Sequence, residues 1–342
     1  MVSSLLSGKK LKISDIRVND ESPGIQDFEA CFLRLIDQLT DGTRIEINET
    51  GTVLRMVPGI IMGGVELMHD CGTSRSIGWF IEGILPLACF GKSALEIEFR
   101  GITHDAVDLT TDTISNVTLP LLRNFGIAGI RIDVKTRGMP PKGGGIVFLE
   151  APMVRELNPI HMVDMGLIKR VRGTALAARV SPTILSRVVD SARGVLNNYL
   201  PDVFIHTDHH RSSSGGHSAG YSLSLIAEST TGSLLSVERT AERGEMPEDI
   251  GSEGAILLLD EIKKGGVVDT SHQVLMLQLM LLGPEDVCKI RFGELTDQTI
   301  HILRLLKEAF GVTFKIRKDQ ETETVLLSCL GIAYQNIARK VR

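Results

Sequence analysis

The segment at residues 137–145, RGMPPKGGG, combines residue types that can hold an anion. Glycine tolerates positive φ, and consecutive glycine amides can then converge on an anion. The two prolines stiffen the approach because each fixes φ. Strand-like runs at 130–135 and 146–149 flank the segment and predict a hairpin around it. The alternative is a tight turn that only glycine can make, because no Ser or Thr follows the lysine as in a Walker loop.

A second group of polar residues could suggest a metal site. Its members are His206, Asp208, His209, His210 and His217. The group spreads around a serine- and glycine-rich loop at 211–216 and lacks the fixed spacing of zinc ligands. No side chain that would orient the histidines is evident in the pattern. We therefore predict no metal.

An acidic group precedes a predicted helix at 252–264. Its members are Glu245, Glu248 and Asp249. Paired carboxylates can serve as acid and base, but a solvated turn ahead of a helix is the simpler interpretation.

The overall composition limits the classes of partner. The chain has 342 residues, 43% apolar and 4% aromatic, and a net charge of −5. Length alone suggests about two domains, and an interior of Leu, Ile, Val, Ala and Met suits a layered α/β protein. One Trp and three Tyr offer few stacking platforms for unpaired bases. The acidic balance argues against a global basic coat, so RNA contacts are expected only at local patches.

The cysteines and the hydropathy pattern bear on the compartment. The five cysteines, an odd number in apolar surroundings, are Cys31, Cys71, Cys89, Cys288 and Cys329. Such a set suits reduced core thiols better than a disulfide framework or a zinc site. No apolar run reaches the roughly 18 residues that span a bilayer, and no secretory leader is present. We expect an intracellular protein without a membrane partner.

One pattern of helix end, glycine, strand, turn and second strand occurs three times. The helix ends and first strands lie at 33–48, 121–135 and 305–316, and the second strands at 52–57, 146–149 and 324–330. A glycine at a helix end followed by alternating residues is typical of a helix packed on a small sheet. Three copies predict a pseudo-threefold arrangement.

The upstream halves of the second and third copies match as well. Helix, glycine and strand follow one another at 85–99 and again at 277–292. The first copy starts with a helix end and a strand at 5–13, so its opening strand is predicted to be missing.

Between the second and third copies lies a segment with its own elements. A helix at 184–200, with Ser181 as N-cap and Pro182 at the first position, precedes strand-like runs. These runs lie at 203–206, 221–229 and 233–237. The predicted fold class is therefore α/β, in α+β layers: three repeated helix-on-sheet units form a large domain, and a small α/β domain is inserted between repeats two and three.

The predicted boundaries follow from this organisation. Residues 1–165 hold repeat one, incomplete at its amino end, and repeat two. Residues 166–243 form the insert, and residues 244–342 hold repeat three.

The repeats, the insert position and several ordered strings resemble the RNA 3′-terminal phosphate cyclase superfamily, and within it the eukaryotic cyclase-like branch. The strings are Ile16-Arg17 with 22–24 (SPG), 58–64 (PGIIMGG), 100–103 (RGIT), 137–145 (RGMPPKGGG), 169–173 (KRVRG), Pro201-Asp202 with Thr207-Asp208, and Gly331-Ile332. They cover nearly the whole chain. The resemblance implies the same three-unit fold with one insert. The family's opening glycine-rich strand and its following Gln and Arg have no counterpart here, which weakens the expected nucleotide pocket.

The resemblance also identifies a changed catalytic position. True cyclases carry a histidine that ATP adenylylates at the start of the last long helix, and the corresponding position here is at or next to Gln298. An amide has no accessible deprotonated form for covalent catalysis. His301, about 4.5 Å further along a helix, is too distant to replace it, and we expect a half-buried packing histidine. His272 stands where cyclases have Asp, ahead of a retained Gln273.

The resemblance implies a function without catalysis and without a cofactor. A member of this branch is expected to be a nucleolar factor of the small-subunit processome, needed for early pre-rRNA cleavage and bound to a ribosome-assembly GTPase. The alternatives are a pre-rRNA endonuclease and residual cyclase activity. The charged trio at 317–319 is expected near the cleft, and a solvated turn after the strand explains it equally well. No His pair or carboxylate cluster is spaced for RNA cleavage.

The candidate contacts to RNA phosphate or an acidic partner are basic side chains and loop glycines. They are Arg100, Arg137, Lys142, Gly143, Gly144, Gly145, Lys169, Arg170 and Arg172. Arg137 and Lys142 are expected to be free loop charges with little effect on stability. For the residues at 169–172, an ordinary exposed strand edge is an equal alternative.

Overall fold

The first unit opens a fold that a computed structural model describes over residues 1–211 and 213–336. Its elements are α1 (Val2–Ser7), β1 (Leu11–Ile13), α2 (Asp27–Leu39), β2 (Thr40–Asp41), β3 (Arg44–Ile47), β4 (Leu54–Val57) and β5 (Ile60–Ile61). β1, β4 and β3 form an antiparallel sheet in that order, and β2 pairs with β5. α2 packs its apolar face inward because leucine, isoleucine and phenylalanine recur at helical spacing.

The second unit has a four-stranded sheet. Its elements are β6 (Gly64–Asp70), α3 (Ile77–Ala88), β7 (Leu95–Gly101), α4 (Thr111–Thr113), a π-helical turn (Ile114–Thr118), α5 (Leu119–Asn124), β8 (Arg131–Thr136) and β9 (Gly145–Ala151). The strand order is β6-β7-β9-β8. β6 runs parallel to β7, and the other two pairs are antiparallel.

A short strand and a small unit follow. Their elements are β10 (His161–Met162), β11 (Ile168–Ala178), α6 (Thr183–Leu196), β12 (Val203–His210), β13 (Gly220–Ser229), β14 (Leu234–Thr240) and α7 (Pro247–Lys264). The small sheet has the order β12-β11-β13-β14, and α6 and α7 pack side by side on it. α6 has Pro182 rather than the predicted Ser181 at the cap position, and it ends at Leu196, before the predicted end at residue 200.

The packing of α7 extends the small unit beyond the end predicted at residue 243. Ile250, Ala255 and Leu258 of α7 are buried in the same apolar cluster as Val171 and Leu225 of the small sheet. The spacing of apolar residues predicts a helix there, but it carries no information on which sheet the helix covers.

The third unit repeats the topology of the second. Its elements are a 3₁₀ turn (Thr270–His272), α8 (Gln273–Leu282), β15 (Val287–Phe292), α9 (Asp297–Phe310), β16 (Lys315–Lys318) and β17 (Val325–Leu330). The sheet order β10-β15-β17-β16 matches β6-β7-β9-β8, including the parallel first pair. In the first unit, β1, β4 and β3 take the places of the last three strands. The predicted fold class is confirmed.

The three units share one interior. A single apolar cluster joins α2, α3, α5 and α8 to the faces of the three sheets. The five cysteines are buried and unpaired, as predicted. No helix within residues 1–211 and 213–336 is both long and apolar enough to cross a membrane.

Candidate functional site

The glycine-rich loop joins β8 to β9, as the hairpin prediction requires. Four of its amides donate hydrogen bonds inside the protein. They are those of Arg137 to Ser214 O (2.8 Å), Gly138 to Thr103 Oγ1 (3.0 Å), Lys142 to Ser218 Oγ (3.0 Å) and Gly143 to Met139 O (3.0 Å). These amides are occupied and do not converge on an anion. For these four amides the tight-turn alternative holds.

The loop glycines allow close packing between the large and small units. Gly143 and Gly144 have φ of 60° and 85°, in the region that side chains rarely adopt. A Cβ on Gly144 would lie 2.5 Å from Cδ2 of His217, and one on Gly145 would lie 2.6 Å from Cγ2 of Thr103. The glycines are required by these contacts.

Arg137 is held inside the junction of the two units. Its side chain is 12% exposed and donates to Asp112 (2.7 Å) and Asp208 (3.4 Å). Burial acts to raise the pKa of Asp112, but hydrogen bonds and charges from His104 and Arg137 hold this pKa below its usual range. The expectation of a free loop charge is wrong for Arg137, because its partners come from other segments. Lys142 is exposed.

Beside this loop lies a cavity of about 540 Å³, which we call the junction pocket. Its lining residues are Arg100, Gly101, Thr136, Gly144, Gly145, Ile146, Arg179, Ser213, Gly216 and His217. The structure thus brings together three of the predicted candidates, Arg100, Gly144 and Gly145. Sequence reasoning missed Arg179 and assigned His217 only to a metal cluster. No local pattern marks Arg179, which follows the end of β11.

The basic residues at 169–172 lie on a central strand. β11 lies between β12 and β13, but its pairing with β12 begins at Val171, so the strand-edge alternative is wrong for Arg172 and holds for Lys169 and Arg170, which lie beside β13 alone. Arg170 donates to Glu228 at 2.6 Å, and Arg172 donates to both oxygens of Asp202 at 2.8 and 2.9 Å. Lys169 is exposed. Two of these three cations are therefore already paired.

A second cavity, of about 640 Å³, lies between α3, α9 and the small unit, and we call it the acidic cleft. Gln298 lines it from the first turn of α9, where Thr296 caps the helix by accepting from the amide of Thr299 (3.1 Å). The carboxylates lining the cleft are Glu29, Glu82, Asp105, Asp108 and Glu238. The predicted location of Gln298 at a helix start in a cleft is therefore observed.

The charges of the acidic cleft are poorly balanced. Burial raises the pKa of Glu82 and of Asp105, and it raises the pKa of Glu238 to about 7. Arg75 also lines the cleft, but it is paired with Asp108 through Nε at 2.8 Å and lies over the rings of Phe28 and Trp79. The charge of Arg75 is therefore already neutralised by Asp108 in the protein without a ligand.

A buried polar network supports the cleft from behind. His272 donates from Nδ1 to Asp269 (2.6 Å), and its Nε2 is 2.8 Å from Oγ1 of Thr118. Asp269 also accepts from the amide and hydroxyl of Ser236 in the small unit. Burial acts to lower the pKa of His272, but the charge and hydrogen bond of Asp269 outweigh burial and raise this pKa. Gln273 accepts from the Thr299 hydroxyl (2.7 Å) and so positions the start of α9.

Other candidate groups lie apart from both cavities. His301 is exposed, which corrects the expected half-buried histidine. Asp319, in the charged trio at 317–319, accepts from Arg291 (2.8 Å), and this hydrogen bond lowers its pKa to about 2. The trio is absent from the described lining of the acidic cleft.

The histidine group from residue 206 onward makes local contacts. His210 Nε2 lies 2.8 Å from Asp208, and Nε2 of His209 is 2.9 Å from the Val180 carbonyl oxygen. Within the described part of the chain, no three His, Cys, Asp or Glu side chains are grouped as metal ligands.

Comparison with known proteins agrees with the topology. A family model described as RNA 3′-terminal phosphate cyclase matches residues 1–316. This chain belongs to that family. It is 47% identical to the probable RNA 3′-terminal phosphate cyclase-like protein of Dictyostelium discoideum, over 99% of this chain and 96% of that protein. It is 45% identical to the RNA 3′-terminal phosphate cyclase-like protein of Homo sapiens, over 100% and 95%.

A third relative has a functional name. The rRNA processing protein rcl1 of Schizosaccharomyces pombe is 40% identical, over 100% of this chain and 95% of that protein. The resemblance to the cyclase-like branch is therefore confirmed. In this member of the family, Gln298 lies in the first turn of α9 and lines the acidic cleft.

Proposed function

We propose that this protein is a non-catalytic factor in rRNA processing, acting in the small-subunit processome before early pre-rRNA cleavage. The proposal includes a nucleolar location and binding to a ribosome-assembly GTPase. Support for the processing role comes from the name of the fission yeast relative and from family membership. Support for the lack of catalysis comes from the acidic cleft.

The observation that carries the proposal is the chemistry around Gln298. A covalent nucleotide intermediate needs a nucleophile, and a side-chain amide is a poor one because its nitrogen lone pair is delocalised. Loss of a catalytic nucleophile costs about 10⁶ in rate in a well-studied protease. The family resemblance puts the adenylylated histidine at or next to Gln298.

The electrostatics of the cleft point the same way. A nucleoside triphosphate carries several negative charges, and it would enter a cavity lined by Glu82, Asp105 and Glu238. Ionised carboxylates at short range in a partly desolvated site repel such a ligand, and because the pKa of Glu238 is raised to about 7, this repulsion grows as the pH rises through that value. Arg75 cannot offset this repulsion without leaving Asp108. The carboxyl groups that line the cleft therefore disfavour a phosphate-bearing ligand.

The test separates processing from catalysis. The protein is depleted in the cells that produce it and replaced by wild type or by Gln298→Ala, and pre-rRNA is followed by hybridisation upstream of the small-subunit rRNA. We expect precursors to accumulate on depletion and both versions to restore processing. Unchanged precursors on depletion would overturn the role in processing, and failure of Gln298→Ala would overturn the lack of catalysis.

Partner capture tests the finer statement. Wild-type protein recovered from nuclear extract is expected to carry a GTPase and pre-rRNA, whereas recovery with metabolic enzymes alone would contradict it. Incubation with labelled ATP and with a 3′-phosphorylated oligonucleotide is expected to give neither covalent AMP nor a cyclic end. Incubation of wild type and Asp319→Asn with a pre-rRNA fragment is expected to give no cleavage by either.

A further inference from the structure

The junction pocket has the opposite electrostatic character to the acidic cleft. Arg100, Arg179 and His217 line it, and no carboxylate lines it in the part of the chain that the structure describes. Its volume of about 540 Å³ lies within the range of sites that hold small molecules and single nucleotides. A cavity of this size and charge is suited to an anion.

The two arginines retain donors that the fold does not use. Arg179 donates to the Gly216 carbonyl oxygen (2.5 Å), and no carboxylate among the described residues pairs with it. Arg100 donates to Glu98 through Nε (2.6 Å), and its side chain is 50% exposed. Its two terminal nitrogens have no hydrogen-bond partner in the described part of the chain. Guanidinium groups with free terminal donors match phosphate oxygens in geometry.

Backbone and small groups form the remaining wall. Gly101, Gly144, Gly145 and Gly216 present no side chain, so a ligand oxygen can approach the main chain closely. Thr136 adds a buried hydroxyl that has no hydrogen-bond partner among the described residues. The glycines that bring the two units together thus also keep the pocket open.

We propose that the junction pocket is a binding site for a phosphodiester group of single-stranded RNA, held mainly by Arg100 and Arg179. This inference deepens the proposed function, since pre-rRNA would be the source of that group. The pocket has no Phe, Tyr or Trp in its described lining, and the His217 ring is the one platform there on which a base could stack, so the backbone is the main part recognised. Binding is therefore independent of base sequence and depends on salt.

The same lining argues for RNA over an acidic protein segment. Protein interfaces depend on buried apolar and aromatic anchors at their centre. Among the residues lining the pocket, Ile146 is the large apolar one, and the remainder are arginine, histidine, serine, threonine or glycine. Planar guanidiniums beside exposed main chain suit a tetrahedral phosphate with several acceptor oxygens.

The test measures RNA affinity with matched charge changes. The full chain is titrated with a labelled single-stranded RNA of about 12 nucleotides, a length typical of such sites. The variants are Arg100→Gln, Arg179→Gln and the pair, and the control is Arg304→Gln, which removes an exposed charge on α9 outside both cavities. Thermal unfolding checks that each variant is folded.

We expect each pocket substitution to weaken binding about tenfold, because a hydrogen bond to a charged group contributes at least that factor. The log–log salt slope is expected to fall by about 0.7 for each phosphate that is no longer neutralised, the value for single strands. Arg304→Gln and a changed base sequence are expected to leave affinity nearly unaltered. Arg179→Lys, which keeps the charge without the fork, is expected to recover part of the affinity.

Three results would overturn the inference. One is RNA affinity that is absent in wild type, and another is an equal decrease in the Arg304→Gln control. The third is competition by polyglutamate at the same charge concentration as the RNA, which would assign the pocket to an acidic peptide. Loss of RNA affinity with normal precursor processing would leave the proposed function intact, so the two failures are distinguishable.

Discussion

The acidic cleft and the junction pocket are similar in size and lie against the same small unit, but they carry opposite charge. Carboxylates dominate the cleft around Gln298, and Arg75 there is already paired. Arg100 and Arg179 line the junction pocket, and no carboxylate is in its described lining, although Glu98 pairs with Nε of Arg100 from outside the pocket. On the proposals made above, the cleft that contains Gln298 and the pocket that binds phosphate are therefore different places in one molecule.

The difference comes from where charges find partners. Arg75 and Arg137 are bound by aspartates from distant segments, so neither is available to a ligand. Arg179 meets only a carbonyl oxygen among the described residues, which leaves its charge uncompensated. A cation contributes to binding only when the fold has not already neutralised it.

The largest expected effect concerns the support of the acidic cleft. Asp269→Ala removes the partner of a buried His272, and an unpaired buried charge destabilises a protein by about 3 to 5 kcal/mol. Denaturant unfolding measures this. Asp269→Asn, which keeps an acceptor for Ser236, should destabilise less. Equal stability of wild type and Asp269→Ala would mean that the pair does not support the cleft.

The same pair predicts a pH dependence. The pKa of His272 in the folded protein is raised above 6.5. The stability gained from the charged His272–Asp269 pair is therefore complete below pH 6.5 and is lost as the pH rises through the folded-state pKa. The stability difference between wild type and Asp269→Ala should therefore narrow at alkaline pH. A difference that widens there would contradict the assignment of charge to His272.

Arg137 should behave as a structural tie and not as a ligand contact. Arg137→Ala leaves Asp112 without its arginine partner. We expect the free energy of unfolding to fall by about 2 to 3 kcal/mol, which is less than for a fully buried pair because both side chains keep some exposure. Lys142→Ala is the control and should lie within about 0.5 kcal/mol of wild type. If Arg137→Ala is as stable as the control, the ion pairs at the junction contribute little.

Glu238 tests the acidic character of the cleft. Its pKa is raised from 4.5 to about 7, so the folded protein holds an extra proton between these values and stability falls as pH rises across them. Glu238→Gln should flatten this slope and stabilise the protein at pH 8 by about 2 kcal/mol, after allowance for partial exposure. Glu308→Gln, an exposed carboxylate on α9, is the control. An unchanged slope in Glu238→Gln would show that this carboxylate is not desolvated.

The smallest effect is expected at Gln298. Its side chain is exposed, so Gln298→Ala should change stability by less than about 0.5 kcal/mol and leave RNA affinity unaltered. Gln298→His restores an imidazole, yet we expect no covalent AMP because the carboxylates still repel the triphosphate. Adenylylation of Gln298→His would show that the vacant nucleophile, and not the charge of the cleft, is the sole obstacle.

Much of the fold could be predicted because the signals are local. Helical spacing ended by Gly311, and alternation in the strand at 146–149, each depend on neighbouring residues. Repetition then revealed the three units. The limits of α6 and the sheet covered by α7 could not be read in this way, since they depend on packing between segments.

The candidate site was less predictable. Sequence reasoning identified Arg100, Gly144 and Gly145, but it treated Arg137 as free and overlooked Arg179. Arg137 and its partner Asp208 are 71 residues apart, so no local pattern reports their ion pair. No sequence pattern identifies Arg179. It is a candidate because no carboxylate pairs with it among the described residues, and this depends on how the units pack together.

Residue order alone determined the repeated units, the buried thiols, the glycine turn and the amide at position 298, because each follows from side-chain type and short-range geometry. The tertiary structure decided which charges are neutralised and which remain available to a ligand. Coulombic pairing acts over a few ångströms in space between residues far apart in the chain, so it is settled only when the units pack together.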